Sequence, residues 1–451
     1  MVEEFEQKQG RLADTVSALL QGGTAPEARR MLNALHPAEI ANLLESFPVP
    51  ERKLLWELVD EKNAGEVLLE VHDEVRSGLI RDMDEDELLA ATSGMDMDDL
   101  ADFVQDLPKT LTGEILRAMD NQNRQRLEAV LAYPEDSAGG LMNTDTVTVR
   151  PDVSLDVVLR YLRMRGALPE LTDHLFVVSR FDHFLGILRV SDLLTHDPDG
   201  RVADLLDADA IAITADTPAR EVAKMFEDRD LISAPVLDAR GRLVGRITID
   251  DVVDVIREEA ERSILTMAGL GEEEDLFAPV WSSARRRALW LGINLLTALL
   301  AAYVIGLFEG TIAEIVALAV LMPVVASMGG IAGTQTLTLV TRAIALGQIA
   351  SRNTRKLLFK ELGVGVLNGL FWAAVLAGIA TLWFGRPAIG GIIAAAMTIN
   401  LAVAALTGVG IPLMLKRLGI DPALAGGVVL TTVTDVIGFV AFLGLATLFL
   451  L

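Results

Sequence analysis

The sequence predicts a multidomain membrane protein: an α-helical, superhelical N-terminal domain, a duplicated α/β module, and an α-helical transmembrane domain of five helices. Three observations carry that prediction. The 451 residues have a formal net charge of −24, yet residues 1–280 hold 58 acidic and 28 basic side chains, against 5 and 11 from Trp281 onward. The weakly basic part is built from long apolar runs. The acidic part repeats internally, at two different periods.

Composition sets the first limits. There is no Cys, so disulfides and thiolate metal sites are excluded. Strong acidity disfavours nucleic acid as a partner and favours cations or basic surfaces. The opening residues, MVEEFEQKQG, lack the basic and apolar regions of a cleaved signal, so none is expected.

Residues 1–132 are expected to form a helical-repeat domain. Apolar positions three and four apart in AEIANLLESF and DDLADFVQDL mark amphipathic helices. LHPAEIANLLESFP (35–48) and MDMDDLADFVQDLP (95–108) align at a spacing of 60 residues. Units of that kind bury their apolar faces by stacking. The acidic run DMDEDE (82–87) reads as a solvated turn.

The second repeat lies in residues 133–200 and 201–257. VTVRPDVSLDVVLRYL (147–162) pairs with IAITADTPAREVAKMF (211–226), and VVSRFDHFLGILRVSD (177–192) with VLDARGRLVGRITID (236–250). Each copy is predicted to run strand, helix, strand, tight turn, strand, helix. Gly245, Thr248 and Asp251 follow a Gly-x-x-Thr-x-x-Asp spacing, whereas the first copy has Gly186, Arg189 and Asp192. On the residues alone, Asp192 and Asp251 serve equally well as helix caps.

A connecting helix is expected within residues 250–280. Val252, Val253, Ile256, Ile264 and Leu265 mark its apolar side, leaving Asp251, Asp254, Glu258, Glu259 and Glu261 on other faces. It reads either as a solvated acidic connector or as a lever between a sensor and the membrane.

Residues 281–451 form the membrane domain. Apolar stretches at 287–307, 312–346, 361–384, 388–414 and 422–450 each reach the ~20 residues needed to cross a bilayer. The second is longer than one crossing, and Pro323 with GGIAG predicts a kink or break. Arg285, Arg286 and Arg287, the cluster Arg342 to Lys360, and Lys416 with Arg417 fall on one side; Glu309, Glu314 and Arg386 fall on the other. Positive charge stays inside, so the acidic part is expected in the cytoplasm and the C-terminus outside. Gly365 and Gly369 read as a packing pair.

One residue breaks the apolar pattern. TTVTDVIGF (431–439) places Asp435 inside the fifth stretch, which is otherwise uncharged there. A carboxylate at that depth costs several kcal/mol unless water, a cation or a partner group meets it. Thr431 lies one turn earlier on the same helix face. A structural alternative is an Asp held by an Asn, a Thr or a backbone group of a neighbouring span. The five His (36, 72, 174, 183, 196) show no metal spacing and no nucleophile–base constellation is visible, so an enzyme is not predicted. A secondary transporter usually shows inverted repeats, and five unequal spans do not. A tethered sensor would not need Asp435.

The duplicated module resembles a tandem pair of CBS domains, with Gly245, Thr248 and Asp251 matching the adenosyl-binding signature. Nearly the whole chain resembles the MgtE family of magnesium channels and transporters. The residues that carry this are EDSAGGLM (135–142), MPVVASMGGIAGTQTLTLVTRA (322–343), KELGVGV (360–366), RLGIDPAL (417–424) and TTVTDVIGF. The resemblance implies a homodimeric Mg²⁺ channel among the lipids of a bacterial inner (plasma) membrane, with Asp435 and Thr431 at the central pore site. Ser327, Gly329 and Gly330 match the facing wall, while Ile331 stands where members often have Asn. It further implies Mg²⁺-sensing acids, here Glu66, Asp98, Asp102, Asp230, Asp251, Asp254 and Glu259, with Pro218, Arg220 and Arg262 where acids often occur. ATP is an implied ligand of the CBS pair. The alternative is a broader Mn²⁺/Co²⁺ or proton-coupled transporter.

Overall fold

The computed structural model describes residues 14–16, 18, 25–92, 95, 97–105, 107, 109–267, 269–270, 275–345, 348–349 and 353–451. The chain forms two compact units: Met1–Glu261 with Glu273–Ala278, and Arg262–Glu272 with Pro279–Leu451.

The first unit begins with short amphipathic helices, from Ala25–Leu32 to Asn121–Val130. The two sequence repeats place helices at Pro37–Glu45 and Met97–Gln105. The first starts with a capping box, because Ala38 N–H donates to His36 Nδ1 and His36 N–H donates to the Glu39 carboxylate. The acidic run 82–87 is a helix start rather than a bare turn: Asp84 and Glu87 exchange backbone-to-carboxylate bonds of 3.0 and 2.9 Å, opening Glu85–Thr92. Leu44, Leu55, Leu68 and Phe103 are fully buried, in a core that continues into Val222, Phe226 and Ile247 of the second α/β copy.

Each α/β copy is a three-stranded sheet. β1 (Thr148–Val149), β2 (His174–Val178) and β3 (Phe184–Arg189) repeat as β4 (Ile213–Thr214), β5 (Ser233–Leu237) and β6 (Leu243–Thr248). In both copies the first pair is parallel and the second antiparallel, with an irregularity at Val177/Val178 and at Val236/Leu237. The hairpin turns of the copies pair with each other, since Phe184 N–H donates to Gly241 O and Leu243 N–H to Asp182 O. The connecting helix spans Ile249–Met267.

Among the described residues the second unit holds five helices long and apolar enough to cross a membrane: Val280–Gly306, Ala317–Ala345, Thr354–Phe384, Pro387–Arg417 and one within Pro422–Leu450. The fourth is the most buried and packs against the second, third and fifth. The expected kink or break at Pro323 and GGIAG falls elsewhere. Ala317–Ala345 runs helical through Pro323, and the interruption lies at Ile315, after a separate short helix Glu309–Glu314. Pro323 is the seventh residue of that helix, so its missing N–H removes one intrahelical bond without ending the helix. The glycines instead admit neighbours: a Cβ on Gly333 would press on Leu430 at 3.0 Å.

Candidate functional site

The fifth span opens with Asp421 capping Ala423 N–H at 2.8 Å and with Pro422 in its first turn. Helical geometry then puts Thr431 and Asp435 on one face, four residues apart. Both line an open groove of about 950 Å³. Its opposite wall is the second span, with Ser327, Gly330, Ile331, Thr334, Gln335 and Thr338. The two walls meet at Gly330, where an added Cβ would lie 3.9 Å from Thr431 Cγ2. Among the described residues Asp435 has neither a hydrogen-bond partner nor an ion-pair partner.

The groove is an oxygen site. Its polar lining is one carboxylate, the hydroxyls of Ser327, Thr334, Thr338 and Thr431, and the Gln335 amide. Thr431 donates its proton to Gly427 O and Val428 O, both at 3.1 Å, and Thr334 donates to Gly330 O at 2.8 Å. Those hydroxyls therefore present oxygen lone pairs outward. Hard cations that keep part of their water suit such a lining; soft metals that seek thiolate or imidazole do not.

Gly329 does not share the groove with Gly330. It is buried on the other side of the helix, where any side chain would overlap the amide of Asn400. Ile331 does line the groove and is 55% exposed. Thr334 and Gln335 line the same groove from a helix that runs on without a break.

The sensing candidates are dispersed. Among the described residues no group of three His, Cys, Asp or Glu is arranged to hold a metal ion. Asp98 and Asp102 fall on Met97–Gln105, but their side chains lie outside the described residues. Glu66 is exposed on Glu61–Glu70. Asp230 caps Ala219–Arg229 in a left-handed conformation, φ 51°. Asp254 lies 3.3 Å from Arg257 and Glu259 3.9 Å from Arg220. Partial desolvation pushes the Asp254 carboxyl up, with Asp250 adding to it and Arg257 opposing.

Of the nucleotide candidates, Thr248 donates its hydroxyl to Asp251 at 3.0 Å and its N–H to the same oxygen at 3.3 Å. Gly245 has a packing reason to be Gly, since a Cβ would sit 2.8 Å from Met142 Sδ and 2.9 Å from Asn143 O. The trio thus has a complete structural explanation as a cap and a close strand approach.

Three features were not legible in the sequence. Asp173, His174 and Ser233 come together between the two α/β copies: Ser233 donates to Asp173 at 2.6 Å, and His174 Nδ1 lies 2.9 Å from the same carboxylate. Ser233 Oγ also lies 3.4 Å from His174 Nε2, so the three side chains tie the strands of the two copies together. Burial opposes ionisation of Asp173, but the bonds from His174 and Ser233 outweigh it and hold its carboxyl low. Glu361 is a buried carboxylate in the membrane unit; its partners are Lys360 at 2.5 Å and Thr336 at 3.4 Å. Arg52 is buried and grips Asp275 through two bonds of 2.7 and 3.0 Å.

The fold and the groove define a multi-pass membrane protein with a duplicated α/β module and an oxygen-lined groove bearing one carboxylate that is unpaired among the described residues. The family model described as "Divalent cation transporter" matches residues 322–445, the "MgtE intracellular N domain" matches 35–136, and the CBS domain matches 138–199 and 202–258. The magnesium transporter MgtE of Thermus thermophilus is 32% identical over 449 residues, 98% of this chain and 99% of that protein. Its counterpart in Bacillus subtilis is 26% identical, with 96% of each covered. A crystal structure of the cytosolic domain of the Mg²⁺ channel MgtE in complex with ATP matches with 31% identity and a TM-score of 0.49, covering 54% of this chain and 99% of that one. The chain belongs to the MgtE family, a class of transporters rather than enzymes.

Proposed function

We propose that this protein is a Mg²⁺ channel that imports the ion down its electrochemical gradient and closes when cytosolic Mg²⁺ is high. The observation that carries the reading is Asp435, unpaired in an open, hydroxyl-lined groove of the membrane unit. The groove is open on one side, as half of a site would be. Two copies forming a homodimer would present two carboxylates across an axis.

The chemistry follows from the ion. Mg²⁺ binds oxygen, sheds water reluctantly and is held through one or two carboxylates. Low dielectric strengthens the attraction of Asp435 for the divalent ion. Thr431, Ser327 and the other hydroxyls accept hydrogen bonds from its water, so the ion is held without being caged and can leave. The Arg- and Lys-rich ends of the spans face the cytoplasm with the acidic unit, and the C-terminus lies outside. An inside-negative potential then pulls the ion inward by ~2.3 kcal/mol per charge per 100 mV.

Regulation is assigned to the acidic unit. Glu66, Asp98, Asp102, Asp230, Asp251, Asp254 and Glu259 repel one another when Mg²⁺ is scarce, and bound Mg²⁺ draws them together with the connecting helix. Arg220 and Arg257 already stand beside Glu259 and Asp254, so fewer ions are needed here than the count of acids suggests. Gly245, Thr248 and Asp251 are the positions for ATP on the CBS pair.

The test is Mg²⁺ uptake by the purified chain in lipid vesicles. Uptake should follow voltage and the Mg²⁺ gradient, ignore a pH gradient, and fall when the vesicles are loaded with Mg²⁺ on the cytoplasmic side. Flux that tracks the pH gradient would replace the channel with a proton-coupled carrier. Asp98→Ala with Asp251→Ala should relieve the inhibition; full inhibition in that variant would remove these acids from the sensor. Calorimetry with ATP should show binding that Asp251→Ala weakens, and silence would leave the trio as a cap alone.

A further inference from the structure

We infer that Asn400, in the fourth span, is a positioning residue for the ion path: it fixes the two walls of the groove against each other without touching the ion. The inference rests on the reading of the groove as the pore. Asn400 is 0% exposed and does not line the groove. Its Nδ2 donates to Val325 O at 2.9 Å, just ahead of Ser327 on the second span. The same amide fills the space left by two glycines on different helices. A Cβ on Gly329 would overlap it, and one on Gly438 would come within 2.7 Å of Nδ2. Gly329 lies between Ser327 and Gly330, while Gly438 follows Asp435 by three residues, under one turn. One side chain thus sits directly behind both walls.

Stability alone does not account for an amide here. Among the described residues Asn400 Oδ1 has no hydrogen-bond partner, and a buried unpaired acceptor costs free energy that a leucine of similar size would not incur. What leucine lacks is the bond to Val325 O. That bond ties the fourth span to the backbone of the second where the groove-lining segment begins. Gly438 then lets the fifth span close against the same amide, which sets how far Asp435 stands from Ser327 and Gly330.

The test uses the full chain in vesicles, with Mg²⁺ and Ca²⁺ flux both measured. Asn400→Leu should stay folded, with elution and melting near wild type. Its Mg²⁺ flux should fall about tenfold or more, as when supporting groups behind a metal site are lost, and its Mg²⁺-to-Ca²⁺ flux ratio should move toward one. Gly329→Ala, whose methyl would displace the same amide, should also lose flux and shift the flux ratio in the same direction. That variant decides the matter should Asn400→Leu fail to fold. A wild-type flux ratio in folded Asn400→Leu or in folded Gly329→Ala overturns the inference. Asp435→Asn separates the layers: lost flux there with an unaffected Asn400→Leu leaves the pore reading intact, whereas normal flux in Asp435→Asn overturns both.

Discussion

The acidic unit and the membrane unit treat carboxylates in opposite ways. In the acidic unit many are already answered by the protein's own cations: Asp275 by Arg52, Glu45 and Glu261 by His72, Asp60 by Arg29. The membrane unit has few carboxylates, and Asp435 is left unanswered in an open groove. The number of acids is therefore a poor guide to where a cation acts. A better guide is a carboxylate that remains unpaired where neutral oxygens converge.

The contrast predicts graded effects in the acidic unit. Arg52 and Asp275 are 5% and 7% exposed, and Asp275 N–H also donates to Glu74 at 2.7 Å. Burial raises the Asp275 carboxyl, but the bonds from Arg52 and Phe277 N–H outweigh that and hold it below its ordinary value. Arg52→Ala strands a buried charge and should cost about 3–5 kcal/mol of stability, read as a clear fall in the melting temperature of the full chain. A loss of under about 1 kcal/mol would mean that this pair behaves as a surface contact.

His72 gives a smaller, pH-dependent effect. The hydrogen bond that its ring donates to Glu45 is the main cause that raises it to about 9, with Glu261 adding and burial opposing. Its folded-state pKa lies above the ordinary 6.5, so its contribution is fully present below pH 6.5 and lost as pH rises through about 9. Glu45 works in the other direction: burial raises it, but the bonds from His72 prevail and lower it, so its share is lost in acid. Melting measured from pH 6.5 to 9.5 should show a decline on the order of 1 kcal/mol, because the pair is partly exposed. His72→Gln should flatten that slope. The smallest effect belongs to Arg29–Asp60, 56% and 34% exposed; Arg29→Ala should change stability by about 0–1 kcal/mol.

What could be read from the sequence follows the range of the physics involved. The membrane helices, the α/β duplication and Asp435 are each set by composition or spacing within one segment, so they were legible. The break at Ile315 was not: Pro323 reads as a breaker, yet the helix runs through it and the interruption falls eight residues earlier. Gly329 and Gly330 looked equivalent as neighbours in one motif. Their roles separate only once the fourth span places Asn400 behind one and the fifth span places Thr431 beside the other. Asn400 itself is a lone amide in a 31-residue apolar helix, a signal that sequence alone does not distinguish from a tolerated polar residue. Glu361 opens the third apolar stretch beside Lys360, and its other partner, Thr336, lies on a different helix 25 residues away. The sensing acids share the same difficulty, since sequence shows charges but not which cation reaches them first.

The central claim is that the unpaired carboxylate of the membrane unit holds the ion in transit. Mg²⁺ uptake into vesicles by the wild-type chain and by Asp435→Asn, at matched protein and with folding checked by melting, tests it most directly. The substitution removes the charge and keeps the shape. The account predicts that Asp435→Asn melts no lower than wild type and that its uptake falls to the level of empty vesicles. Wild-type uptake in the folded variant would contradict it, and the ion path would then lie outside this groove.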